Sequence, residues 1–189
     1  MQSLTLQNVL TADEVFLDRL RRGDLDAVAE AYDAQKVALC SFARRLLCDD
    51  HAAEDLVQDV FMVLPRVAHK LEPRTSLRSF LLGIAANRAR HHLRNLARRR
   101  RFTERLRREP AASTETPERV SERRSLAQRL ERALELLSVE HRVTFVLKEI
   151  EGCDSREVSE ILGIPEATVR TRVFHARKQL RDALGEGAR

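Results

Sequence analysis

Asp154-Ser155-Arg156-Glu157-Val158-Ser159-Glu160-Ile161-Leu162-Gly163-Ile164-Pro165-Glu166-Ala167-Thr168-Val169-Arg170-Thr171-Arg172-Val173-Phe174-His175-Ala176-Arg177 carries the local chemistry of two helices and the turn between them. Asp154 can accept hydrogen bonds from the free amides of a first helical turn while Glu157 reaches back, a capping box with Asp in the usual Ser/Thr place. Gly163 supplies the left-handed position that ends this helix, and the fixed φ of Pro165 suits the entry to the next. Two helices joined by so short a Gly-containing turn form a helix-turn-helix, whose second member can lie in a DNA major groove.

The second helix separates its faces. Val169, Val173, Ala176 and Leu180 recur at i, i+4, i+7 and i+11 and form one core-directed stripe. Arg170, Thr171, Phe174, His175, Arg177 and Lys178 point outward. A lone Arg-rich helix is most often just a solvated basic face; the capped turn in front of this one favours a DNA contact.

The chain has 189 residues, enough for one domain or two small ones. With 6 Gly, 5 Pro, no Trp and 4% aromatic residues, the composition favours an all-helical fold. The formal net charge is +5, and its distribution is uneven. Between Arg88 and Arg108, ten arginines stand against the single Glu104, so the rest of the chain is slightly acidic. A local basic block points to nucleic acid more than to general stickiness. Cys40, Cys48 and Cys153 are odd in number and far apart, without Cys-x-x-Cys or His-x-x-x-His spacing, so they read as buried free thiols of a reducing compartment and no metal or other cofactor is expected. The first residues lack a signal-peptide pattern, and no apolar run approaches the ~20 residues that cross a bilayer. A soluble, cytoplasmic protein without membrane insertion is expected.

In chain order, Thr11 and Glu14 make a capping box for a first helix that Gly23 ends. Asp24 caps a longer helix reaching about Cys48. From His51 to Val67 the residues Ala53, Leu56, Val57, Val60, Phe61 and Leu64 keep helical spacing, with Glu54, Asp55, Gln58 and Asp59 on the opposite side and Pro65 predicting a kink or an end. By composition alone that acidic row is a solvated face. A helix over about 77–101 follows, its apolar stripe traced by Phe80, Leu81, Ile84, Ala85, Ala89, His92, Leu93 and Leu96, with Asn87, Arg88, Arg90, His91, Arg94 and Asn95 off it. Such a helix can dock on a core while offering charge and hydrogen bonds to a backbone or to exposed bases. The Pro-containing segment around Pro110 and Pro117 has no hydrophobic period and reads as an extended linker. The domains expected are therefore residues 1–108, a linker over 109–121, and residues 122–189. In the second domain, Leu126, Leu130, Ala133, Leu134 and Leu137 form one stripe, and Ser138 caps a helix that Gly152 stops.

At this point the residues resemble a family. Ala53-Glu54-Asp55-Leu56-Val57-Gln58-Asp59-Val60-Phe61, then Leu81-Leu82-Gly83-Ile84-Ala85-Ala86-Asn87-Arg88-Ala89, then the helix-turn-helix with Gly152 ahead of it, are similar in order and spacing to regions 2 and 4 of sigma-70 family RNA polymerase sigma factors of the extracytoplasmic-function (ECF) group. The resemblance covers about Asp24 to Leu184. It implies that Asp55, Gln58 and Asp59 bind core RNA polymerase at the β′ clamp helices, with the β flap as a further contact. It implies that Asn87 and His91, flanked by Arg88 and Arg94, read the non-template strand of the minus-ten element with a base flipped out. Flipping costs a few kcal/mol, so a pocket for the extruded base biases DNA toward the open state. It implies that Arg156, Thr168, Arg170, Thr171, Phe174, His175, Arg177 and Lys178 meet the minus-thirty-five element, with Arg170 able to bond guanine edges and Arg156 and Arg177 better placed for phosphates. An anti-sigma protein is the implied regulator. Phe80 stands where the family often has Trp, His91 where Asn is frequent, and Ser159 where Ala is usual; a buried Ser159 hydroxyl would need a backbone partner.

The resulting expectation is a promoter-specificity subunit with no catalytic site and no small-molecule substrate. The main competitor is a free-standing helix-turn-helix regulator, which should be a symmetric dimer on a palindrome. Leu126 to Leu137 is too short for a coiled coil of three or four heptads. A recombinase is more distant still, since Tyr32 is the only tyrosine.

Overall fold

The computed structural model describes residues 12–72, 75–106 and 122–185, with side chains described over 12–72, 75–98 and 129–185. Among these residues the fold is helical throughout, with no strand. The first module contains α1 (Ala12–Arg21), α2 (Leu25–Leu47), α3 (Asp50–Val67) and α4 (Leu77–Leu106); the second contains α5 (Glu122–Glu135), α6 (Val139–Phe145), α7 (Ser155–Leu162) and α8 (Glu166–Gly185). The expected linker over 109–121 and the Thr11 cap lie outside the described residues.

Local chemistry sets most helix ends. Asp24 caps α2 by accepting from the amides of Asp26 and Ala27, and Arg19 donates to the same carboxylate at 2.8 Å. The Arg19 bond, then the amide of Ala27, hold the Asp24 carboxyl below its ordinary pKa. Asp49 caps α3 through the amide of Ala52, and Ser138 caps α6 through that of His141. Cys48 ends α2 in the left-handed region at φ +54°, a position more often taken by Gly or Asn. Pro65 lies within α3, which runs two residues beyond it and passes into a 3-10 turn at Ala68–Lys70. The ring near a helix end costs one amide donor and does not break the helix. The helix expected to end near residue 101 continues to Leu106.

In the first module α2 packs along α3 and α4, with Phe42, Leu46, Val60, Leu64 and Leu81 at or near zero exposure and Tyr32 set edge-on against Phe61 at 4.9 Å. Truncation at a site like Phe42 costs about 3–5 kcal/mol. The stripe of α4 departs from expectation at His92 and Leu96, which are exposed, while Leu82 and Ala86 are buried. The buried positions follow the 3.6-residue period through Leu82, Ala85, Ala86, Ala89 and Leu93; His92 and Leu96 keep that period, three and seven residues after Ala89, and are exposed where they line an open groove between α3 and α4. In the second module α6, α7 and α5 pack on α8 around Leu134, Val143, Val146, Leu147, Val158 and Val169. After α6 the chain widens into a π-helical turn, Val146–Ile150, closed by the Glu151 amide on the Val146 carbonyl at 2.9 Å and ended by Gly152 at φ +74°.

The modules also touch each other, through α4 against α6 and α7 and the end of α2 against α5 and the π turn.

Candidate nucleic-acid interface

The turn that aims α8 is built as its sequence suggests. Asp154 accepts from the Glu157 amide at 2.8 Å and Glu157 accepts from the Asp154 amide at 2.8 Å, a complete capping box. Gly163 stands at φ +63°. Ser159 finds its backbone partner: the hydroxyl donates to the Ile164 carbonyl at 2.6 Å, while the Ile164 amide donates to the Ser159 carbonyl at 3.1 Å. Two reciprocal bonds between one pair of residues close the turn and fix the angle at which α8 leaves it.

On α8, Val169, Val173, Ala176 and Leu180 are buried and Arg170, Thr171, Phe174, His175, Arg177 and Lys178 are exposed, Phe174 by 65%. Thr168, in the first turn, is half-buried. The Thr171 hydroxyl donates to the Ala167 carbonyl at 3.0 Å, leaving its oxygen able to accept. Arg170 lies 3.5 Å from Glu166 and Arg156 3.0 Å from Glu160, both exposed i, i+4 pairs of small net strength. Arg177 is held by Glu149 at 2.6 Å. His175 has a neighbour that sequence reasoning missed: the ring of His141, from α6, stacks on it at 6.0 Å, and Phe174 meets it edge-on at 5.5 Å. This row of rings restricts how the His175 imidazole can turn.

The first module contributes a groove of about 810 Å³ between α3 and α4. Asp55, Gln58, Asp59 and Met62 line the α3 side and Asn87, Arg88, His91 and Asn95 the α4 side. The structure thus brings together two residue sets that lie about thirty positions apart in sequence. Asp55, Gln58, Asp59, Asn87 and His91 are exposed; Arg88 is half-buried and donates to Asp59 at 2.8 Å, and Asn95 and His91 share a hydrogen bond of 3.2 Å. Met62, 75% exposed, is an apolar side chain one helical turn from Gln58 on the polar face of α3. That misfit with the helical period was its sequence signal.

Arg94 is not free either. With Arg90 it reaches Glu140 of the second module, at 2.5 Å and 3.2 Å, and Arg172 of α8 bonds the same carboxylate at 3.0 Å. Burial pushes the Glu140 pKa up, and the Arg94 hydrogen bond with the charges of Arg90, Arg94 and Arg172 outweighs it, so the carboxyl sits below its ordinary range.

No group of His, Cys, Asp or Glu among the described residues is arranged to hold a metal, and no described helix is long and apolar enough to cross a membrane. Cys40, Cys48 and Cys153 are free, and burial pushes the thiols of Cys48 and Cys153 up in pKa.

Residues 31–100 match the family description "Sigma-70 region 2" and residues 127–180 match "Sigma-70, region 4". The chain is 31% identical over 170 residues to the RNA polymerase sigma factor CarQ of Myxococcus xanthus, covering 90% of this chain and 96% of that one. It is 34% identical over 146 residues to the ECF RNA polymerase sigma factor SigE of Mycolicibacterium smegmatis, covering 76% of this chain and 56% of that one. Among solved structures, RpoE of Bartonella quintana, in complex with the anti-sigma factor NepR, superposes with a TM-score of 0.65 at 25% identity, over 83% of this chain and 96% of RpoE. CnrH, solved with the cytosolic domain of CnrY, superposes with the same score at 23% identity over 95% of this chain and 100% of CnrH, a likeness of fold.

Proposed function

The chain belongs to the sigma-70 family as an ECF RNA polymerase sigma factor, a non-enzymatic subunit of transcription initiation, and from that premise we propose how its residues divide the work. Residues 1–108 act as the core-binding and minus-ten module, 109–121 as the linker, and 122–189 as the minus-thirty-five module. Asp55, Gln58 and Asp59 meet the β′ clamp helices, and the second module also meets the β flap. Asn87 and His91, supported by Arg88 and Arg94, engage the melted non-template strand. Arg170, Thr171, Phe174, His175 and Lys178 read base edges of the upstream element, with Thr168 beside them and Arg156 and Arg177 on phosphates. An anti-sigma factor is the proposed regulator, by analogy with RpoE, and the cytoplasm the proposed compartment.

The observation that carries this reading is the α3–α4 groove, with carboxylates on one wall and Asn87, Arg88 and His91 on the other. One wall suits a basic protein partner and the other an anionic strand, so polymerase and DNA can bind side by side without competing for one surface. The test is reconstitution. Purified chain, core RNA polymerase and a promoter library should yield transcription from a defined promoter class. Failure to form a complex with core, where an established ECF factor forms one, refutes the reading.

A further inference from the structure

Several outward side chains of α8 are held from outside their own helix, by α6 and the π turn that continues it. Ser138 accepts from the His141 amide at 3.3 Å, which fixes the backbone of the first turn of α6. From that turn Glu140 accepts from Arg172 at 3.0 Å. His141, the next residue, lays its ring along the His175 ring, with centroids 6.0 Å apart and planes within 17° of parallel. Glu149, in the π turn, accepts from Arg177 at 2.6 Å. The three contacts thus fall three residues before His175, on His175 itself, and two residues after it. Phe174 closes another side of the same imidazole, edge-on at 75°. His141 is half-buried, and its Nδ1 is buried with no hydrogen-bond partner. Its ring therefore keeps its place by packing and stacking, not by a bond from that nitrogen.

We propose that His141 is a positioning residue for upstream-element recognition: its ring holds the His175 imidazole in one plane, so that an N–H of His175 meets the N7 of a single purine, and His141 thereby narrows the base accepted there without touching DNA itself. The inference rests on the assignment of His175 to the upstream element.

Two physical arguments carry it. The first is direction. An imidazole N–H lies in the plane of its ring, and a hydrogen bond weakens steeply once the donor angle falls below about 120°. The outer torsion of a histidine is broad, so an exposed imidazole without neighbours spreads over many ring planes. Turning His175 about that torsion breaks its parallel alignment with His141, so the stack selects one plane. A donor fixed in this way suits N7, which only purines carry, and guanine best, because O6 beside N7 is a second acceptor where adenine has an amino donor. The second argument is cost. A side chain ordered before DNA arrives loses less freedom on binding than one ordered by the contact. A ring pair at this separation shifts such an equilibrium by a factor of about two to ten.

Holoenzyme assembled from the full chain and core RNA polymerase, given a promoter library randomised over the upstream element, reads the effect base by base. His141→Ala should lower discrimination at one base pair by about two- to tenfold and leave the other positions as they were. His141→Leu, which keeps apolar bulk without a flat face, should relax the same base pair and so separates loss of the ring from loss of packing. His141→Phe, which keeps the ring, should restore the preference. With His175→Ala already in place, His141→Ala should add nothing, since the two residues act as one unit. In the NMR spectrum of the full-length chain, the ring-proton signals of His175 should move on His141→Ala. Unchanged selectivity in both the Ala and the Leu variant overturns the proposal. So does a loss spread over every position, a Phe variant as relaxed as the Leu variant, an additive effect in the double variant, or a His175 ring signal that stays in place. If His175→Ala reads the upstream element as well as the unaltered chain does, the assignment of His175 to DNA fails and the positioning role falls with it; a loss in His175→Ala with none in the His141 variants sinks the positioning role alone.

Discussion

The basic faces of α4 and α8 are loaded in different ways. The described arginines of α4 engaged in ion pairs reach across to carboxylates on other elements: Arg88 to Asp59, Arg90 and Arg94 to Glu140, and Arg78 to Glu151 just after the π turn. On α8, Arg172 and Arg177 also reach other elements, Glu140 and Glu149, but Arg170 has only a loose pair within its own helix and Phe174 stands out in solvent. One face is held behind long-range pairs throughout, and the other is open around Arg170 and Phe174. A protein that must wait for a large partner before melting DNA gains from this difference, since strand capture is the step that should not occur alone.

The comparison can be broken most severely at α3. Asp55→Arg combined with Asp59→Arg places like charge where a basic partner should dock. Core affinity should fall by about 3 kcal/mol or more, over a hundredfold, with an unchanged circular dichroism spectrum. Core binding at the original strength in fluorescence anisotropy would remove the acidic row from the interface. On α8, Arg170→Ala should cost about 1–3 kcal/mol at one upstream base pair and relax preference there. A uniform loss over all sequences in a binding-site selection would recast Arg170 as a phosphate contact. Ser159→Ala removes the 2.6 Å bond to Ile164 and should lower unfolding stability by about 1 kcal/mol, read by chemical denaturation. An unchanged midpoint would show that the hydroxyl adds nothing to the turn. Gly83→Ala should stabilise α4 by about 0.5–1 kcal/mol, because a methyl group there meets Ile161 only at contact distance; a loss of stability would mean the modules sit closer than 3.8 Å suggests.

The smallest expected effect is a pH dependence at Glu140. It faces Arg90 and Arg94 of α4 and Arg172 of α8, with the His141–His175 stack beside it on the same helices. Its carboxyl is held below the ordinary value, so its contribution is complete above the usual glutamate pKa of about 4.3 and is lost as pH falls through the depressed value. Distance between the modules, followed by energy transfer, should therefore be constant from neutral pH down to that point and lengthen below it. A chain carrying Glu140→Gln should lack the transition.

What could be read in advance follows the range of the interactions. The helix-turn-helix was legible because each signal lies within a few residues of what it controls: Asp154 with Glu157, Gly163 at its left-handed turn, and one valine stripe. The acidic row of α3 and the basic row of α4 were legible as faces, since helical period alone separates them. Their meeting in one groove was not, because that depends on how α3 packs against α4. Arg45, Arg78, Arg142, Glu140 and Glu151 carried no periodic signal at all. Their partners lie 32 to 106 residues away. The π turn before Glu151 escaped notice for a related reason, as nothing in Val146–Ile150 departs from an ordinary apolar helix pattern. His92 and Leu96 keep the helical period of the buried stripe, and their exposure at the α3–α4 groove was not legible because, like the groove itself, it depends on how the helices pack.

The pair between Asp59 and Arg88 has a consequence in the language of linked equilibria. Among the described residues it joins the two walls of the α3–α4 groove directly. Any cation that takes the Asp59 carboxylate strips Arg88 of its counter-charge and strengthens the field that Arg88 offers an anion. Any anion that takes Arg88 does the same for Asp59. The coupling is reciprocal by thermodynamic necessity, and for two groups this exposed its size is under about 1 kcal/mol. Within the proposed roles, loading polymerase on one wall and single-stranded DNA on the other become mutually reinforcing events, with a sign fixed by one hydrogen bond of 2.8 Å.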